Sequence, residues 1–172
     1  MDKKKNLLAI IMIIILTILS ITIIFSMIID KGVKNYKNDN FKLSYDKNWS
    51  IESKGDTSLK LVHKSKSLFQ VDIIVLDEKY KRSELSTLID DVLNEIEKDN
   101  PNYSLINKTE TTICKKGYDA YQYLYETDKE QAMISIGKSN DMIFILTYVA
   151  DYSCFDILLD SVKEIIWSFQ II

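Results

Sequence analysis

The 172-residue sequence predicts an α+β fold: an antiparallel β-sheet of about seven strands flanked by two helices, carried behind an N-terminal transmembrane helix. Three observations lead there. The 23 residues from Leu7 to Ile29 contain no charge, no Gly and no Pro. Two later segments, beginning near Ser83 and Ser153, repeat apolar residues at helical spacing. The segments around them alternate apolar and polar residues with the two-residue period of strands, and strands grouped apart from helices are the mark of an α+β domain.

At about 1.5 Å per residue the apolar run reaches about 34 Å, enough to cross a hydrocarbon core of roughly 30 Å with slight tilt. Its eleven Ile, four Leu and one Phe contribute roughly −5 to −10 kcal/mol on an insertion scale. A globular helix rarely stays apolar on every face for so long. A cleaved signal peptide has an apolar region of about 7–15 residues and a small-residue cleavage site. Here the run is longer and ends Ser26-Met27-Ile28-Ile29-Asp30, so an uncleaved signal anchor is expected. No cysteine follows closely, which excludes a lipoprotein anchor. Thr22 and Ser26 share a helix face, but without Gly and among bulky Ile they read as tolerated hydroxyls rather than a pairing seam. Lys3, Lys4 and Lys5 are nearly balanced by Lys31, Lys34 and Lys37. The orientation therefore rests on the short basic stub, which keeps the amino terminus cytoplasmic. The expected organisation is a stub at 1–6, the membrane span at 7–29, a polar linker at 30–40 and an extracytoplasmic domain at 41–172.

Within the domain, Phe41, Leu43 and Tyr45 alternate with polar residues as a first strand, continued by Trp49 and Ile51 after an irregularity at Asp46-Lys47-Asn48. Leu59 to His63 is a second strand. Leu68 to Leu76 is a third, apolar on both faces from Ile73 onward and so expected to be central. Ser83 is placed to cap a helix whose stripe is Leu85, Leu88, Ile89, Val92, Leu93 and Ile96, and Asp99-Asn100-Pro101 ends it. Tyr103–Ile113, Tyr118–Thr127, Gln131–Ile136 and Met142–Ala150 follow with tight turns at Gly117 and at Ser139-Asn140-Asp141, which makes an antiparallel meander the economical arrangement. A last helix is expected from Ser153, whose spacing to Asp156 fits a variant capping box. Its stripe is Phe155, Leu158, Leu159, Val162, Ile165, Ile166 and Phe169.

The order of several local patterns resembles the PsbP-like fold family. They are Phe41-Lys42-Leu43-Ser44-Tyr45 followed by Trp49, the turn Gly117-Tyr118-Asp119-Ala120 entering a strand, and the closing pattern Phe144-Ile145-Leu146-Thr147-Tyr148. A helix with Phe155 and then Ile165-Ile166-Trp167-Ser168-Phe169 completes the match, which spans roughly 41–171. The chain departs from the family at Asp46-Lys47-Asn48, where Pro-x-Gly is common. The resemblance implies a sheet flanked by helices and a non-enzymatic role; the family includes thylakoid photosystem proteins, a Ran-binding nuclear protein and many anchored bacterial proteins. No photosystem metal ligand can be matched by position.

Chemistry-bearing residues are few. Beyond Asp30 there are 19 basic and 23 acidic residues, and Arg82 is the one Arg in the chain. This balance argues against a nucleic-acid binder. The single His63 has no Cys-His or Ser-His-Asp spacing about it and reads as structural. Cys114 and Cys154 are separated by three sheet crossings, which places them about 20–30 Å apart, too far for a bridge. Tyr121, Tyr123 and Tyr125 share one strand face. If exposed, the row is a possible partner surface that stacks on sugars or protein; otherwise it packs under a helix or in cross-strand pairs. Asp90-Asp91 and Asp128/Glu130 read as solvated acids. Asn48, Asn102 and Asn107 begin glycosylation sequons, silent in a bacterial protein.

These observations point to a non-catalytic binding or assembly module without cofactor or metal. It would touch the lipid bilayer through 7–29 and a membrane or cell-wall protein through its domain. One alternative is an extracytoplasmic ligand sensor, marked by an apolar pocket between sheet and helix. Another is a cell-wall hydrolase, marked by carboxylates gathered in a cleft.

Overall fold

The computed structural model describes residues 32–139 and 141–172. The apolar run Leu7–Ile29 and the stub before it lie outside the described residues. Among those described, no helix is long and apolar enough to cross a membrane. The chain divides into units 1–33 and 34–172, and every element below belongs to the second.

Among the described residues, ten strands and two helices form in the order β1 (Lys34–Lys37), β2 (Phe41–Tyr45), β3 (Trp49–Lys54), β4 (Ser58–His63), β5 (Leu68–Val75), α1 (Leu85–Asp99), β6 (Ser104–Ile113), β7 (Tyr118–Glu126), β8 (Glu130–Ser139), β9 (Met142–Asp151), α2 (Tyr152–Ser168) and β10 (Gln170–Ile171). Seven strands make one antiparallel sheet ordered β3-β4-β5-β9-β8-β7-β6. The expected meander is the β6-to-β9 half. The β3-to-β5 hairpins join it where β5 pairs with β9, and α1 carries the chain from the middle of the sheet to its far edge.

Three expectations need correction. Trp49 and Ile51 do not continue β2. The chain turns at Asp46-Lys47-Asn48 and changes sheet, because β2 is the centre of a small sheet ordered β1-β2-β10. Asp46 sets this turn: its carboxylate accepts the Asn48 backbone N–H at 2.7 Å and the Ser161 hydroxyl at 2.6 Å. An Asx turn tied to α2 thus does the work of the rigid Pro-x-Gly. Second, the expected linker holds β1, so ordered structure begins before Phe41. Third, neither Ser83 nor Ser153 caps a helix; Glu84 and Asp151 occupy the N-cap positions, without side-chain cap hydrogen bonds.

The core has two parts, one on each face of the large sheet. On the first face, Trp49, Phe69, Val71, Phe144, Leu146 and Tyr148 meet Phe155, Val162, Ile165 and Ile166 of α2, while Phe41, Leu43 and Phe169 close one side. The Trp49 indole N–H donates to Ser161 Oγ at 3.0 Å, so this buried ring is both packed and hydrogen-bonded. Gly137 on β8 lies opposite Phe144; a Cβ there would stand 2.3 Å from the ring, which is why the strand carries a glycine at this position. On the second face, Leu88, Ile89 and Val92 of α1 cover Tyr123, Tyr125, Ile134, Ile136 and Ile143.

Candidate functional site

The second face is incompletely covered. α1 lies over β7 and β8, and between its C-terminal half and β5 a cleft of about 420 Å³ remains open. Its floor comes from side chains that share this face by register: Leu68, Gln70, Asp72 and Ile74 of β5, Ile145 and Thr147 of β9, Ala132 and Ile134 of β8, and Tyr125 of β7. Val92, Glu95, Ile96, Glu97, Asp99 and Asn100 of the helix end, with Tyr103, form the other wall.

The charge of the lining is one-sided. Asp72, Glu95, Glu97 and Asp99 line the cleft and no Lys or Arg does. Asp72 is half-buried; burial raises its pKa, and a 2.8 Å hydrogen bond from the Gln70 amide partly offsets this. The Tyr125 hydroxyl donates to Glu97 at 3.1 Å, joining sheet to helix, and Tyr103 donates to Glu130. Burial raises the pKa of both tyrosines, reinforced by these carboxylate partners. They remain neutral donors, fixed in orientation.

Glu95, Glu97 and Asp99 also stand at the wrong end of α1. The C-terminal end of a helix carries partial negative charge, where acids are disfavoured, and Glu95 and Asp99 are a like-charged i,i+4 pair. Lys98 is the one basic residue in the last turn. A local rule broken beside a cavity is a signature of function rather than stability.

The tyrosine row is not a surface. Tyr123 and Tyr125 are 1% and 3% exposed beneath α1, their rings stacked at 6.3 Å, and only Tyr121 of the three is partly exposed. The possible partner surface is thereby corrected to an inward row, of which Tyr125 contributes to the cleft. The Tyr123 hydroxyl is buried without a hydrogen-bond partner among the described residues. His63 is half-buried against Trp49, ring centroids 5.1 Å apart, with Nδ1 2.8 Å from Ser65 Oγ; burial lowers its pKa. Both cysteines are free. Lys115, next to Cys114, donates its N–H to the Trp167 carbonyl at 2.9 Å. Cys154 lies thirteen residues up the same helix, about 20 Å away. Burial pushes the Cys114 thiol up to about 12, leaving it unreactive.

A pocket between sheet and helix is the mark expected of a ligand sensor, but which residues line it is not readable from the sequence, because Asp72 and Glu97 are far apart in the chain. Two signals were present: Gln70 and Asp72 interrupt one face of an otherwise apolar strand, and the acids crowd the helix C-terminus.

The PsbP-like protein family model matches residues 7–171. The chain belongs to the PsbP-like protein family. The match takes in the apolar run, further than the resemblance at 41–171 reached. The solution structure of cyanobacterial PsbP (CyanoP) from Synechocystis sp. PCC 6803 is similar, with TM-score 0.62, 10% identity, and coverage of 83% of this chain and 94% of that one. LpqN of Mycobacterium tuberculosis, involved in cell envelope biogenesis, gives TM-score 0.53 at 12% identity, covering 84% and 94%. A Pseudomonas aeruginosa protein of unknown function gives 0.50 at 14%, covering 77% and 92%. At these identities the likeness is one of fold. No curated protein matches in sequence.

Proposed function

We propose that this PsbP-like protein is a single-pass membrane protein that presents a non-catalytic binding module outside the cell, and that the cleft between α1 and β5 is its recognition site. Anchoring is supported by the uncharged run Leu7–Ile29 and by a family match that begins at residue 7. An envelope setting is in keeping with LpqN, which shares the fold. The observation that carries the binding reading is the cleft: its volume lies within the range of ligand sites, about 300–1,000 Å³, its floor is largely apolar, and every charged residue that lines it is a carboxylate.

The chemistry suited to it is a positively charged head on an apolar stem: an amine, or a lysine or arginine side chain of a membrane or cell-wall protein. Asp72 and Glu97 supply charge, Tyr103 and Tyr125 supply aromatic faces for a cation, and Ile74, Ile96, Ile134 and Ile145 take up the stem. The same carboxylates make a cell-wall hydrolase the second reading, since a half-buried Asp with a raised pKa is the form of a general acid.

A photoreactive side chain at Glu95 tests the site in intact cells, with the same probe at Lys163 on the outer side of α2 as reference. Specific capture of a partner from Glu95 and not from Lys163 is expected; equal capture from both overturns the assignment. A cysteine at Ser139 should label with an impermeant reagent in intact cells, and protection there would reverse the orientation. Hydrolysis of wall polymer that disappears in Asp72→Asn would favour the enzyme.

A further inference from the structure

Strand β6 ends the sheet order, so one side of its backbone pairs with no strand among the described residues. It is ten residues long and exposed from Ser104 through Glu110, with Leu105 and Ile106 50% and 46% exposed. The opposite edge is better guarded: β3 has six residues, a register shift between Ile51 and Ser53, and the Lys34 ammonium on the Trp49 carbonyl at 3.2 Å. Short, bulged and lysine-covered edges resist pairing, whereas long regular ones invite it. Past its own register shift at Leu105/Asn107, β6 is regular to Ile113.

We propose that β6 pairs antiparallel with β6 of a second copy of this chain, about a two-fold axis through Thr109. The register is chosen as the one that sets opposite charges against each other. A two-fold perpendicular to the sheet keeps like faces together, so the axis must pass through a residue pair. Lys108 and Glu110 lie on the same face, opposite Tyr123 and Tyr121 of β7. An axis at Lys108 sets lysine against lysine, and one at Glu110 sets glutamate against glutamate. An axis at Thr109 sets Lys108 against the partner's Glu110 twice, Asn107 against the partner's Thr111, and Thr109 against itself, all favourable or neutral cross-strand pairs. In the single chain the Lys108 ammonium lies 4.9 Å from the Tyr121 ring centroid and 5.6 Å from that of Tyr123, and the Tyr121 hydroxyl donates a hydrogen bond to Glu110; neither side chain covers the edge, and both turn outward when the partner's strand arrives.

Disulfide trapping of the full chain in membranes of expressing cells tests this. Thr109→Cys sits on the axis, with Cβ atoms about 4.5–5.5 Å apart across the pair, and should trap a dimer of twice the 20.0 kDa chain. Ser50→Cys on the opposite edge, and the unmodified chain with its native cysteines, should not. In the Thr109→Cys background, Lys108→Glu and Glu110→Lys should each cut trapping about tenfold. Co-expressed, these two variants should cross-link to each other at the original level, a rescue that no effect within one chain produces. Trapping no greater than at Ser50→Cys, trapping blind to the charge changes, or a cross-link to a different protein would each overturn self-pairing.

Discussion

On one face of the seven-stranded sheet, Phe69, Val71, Phe144, Leu146 and Tyr148 are all at most 1% exposed beneath α2 and the small sheet. On the other, α1 buries only Leu88, Ile89 and Val92, leaves Ile74 at 38% exposed, and borders an acidic cleft. The same strands supply both faces, so the difference lies in what covers them. The closed face is packed with large apolar side chains whose few polar atoms are paired, as Trp49 is with Ser161. The open face keeps charge where helix electrostatics disfavours it. Stability is thus concentrated on one side and recognition chemistry on the other, and substitutions should separate accordingly.

The largest effect is expected at Trp49→Ala, which removes a fully buried ring and its hydrogen bond; a loss of about 3–5 kcal/mol should appear in denaturant unfolding. Gly137→Ala forces a methyl into the buried Phe144 ring and should cost about 1–3 kcal/mol, read as a lowered Tm. On the open face, Tyr125→Phe removes one hydrogen bond to Glu97 and should cost about 1 kcal/mol. A Tyr125→Phe loss as large as that of Trp49→Ala would erase the contrast between the faces.

The smallest and most diagnostic effect concerns pH. Burial raises the Asp72 pKa in the folded state, so its contribution is most favourable at low pH and is lost as pH rises through the folded value. Asp72→Asn should therefore be more stable than the parent at neutral pH. The gap should close as pH falls below the ordinary carboxylate range. Unfolding curves at several pH values check the sign, and a gap that widens on acidification would be contrary to it.

Much of this contrast was legible in the chain. The stripe Phe155, Val162, Ile165, Ile166 locates α2's buried side, and the two-sided apolarity of Met142–Ala150 places β9 centrally, because burial patterns are local in sequence. β1 and β10 were not legible. Four and two residues carry no readable period, and both exist only because β2 offers them edges. The helix starts were misread because Ser83 and Ser153 have capping chemistry, yet tertiary packing begins the helices elsewhere. The cleft depends on register across β5, β9, β8 and β7, which no local pattern encodes. The tyrosine row shows both limits: its shared face was readable, while its burial depended on where α1 came to rest.

The division between scaffold face and recognition face is tested most directly by mapping a matched pair of probes onto the full chain in detergent micelles, using amide chemical shifts. Butylammonium and butyrate have the same stem and opposite charge. Butylammonium should shift amides around Gln70, Asp72, Ile96, Tyr103 and Thr147, weakened in Glu97→Gln, while butyrate leaves them in place. Equal response to both ions, or a butylammonium response centred on Phe155 and Ile165 beneath α2, would contradict the account.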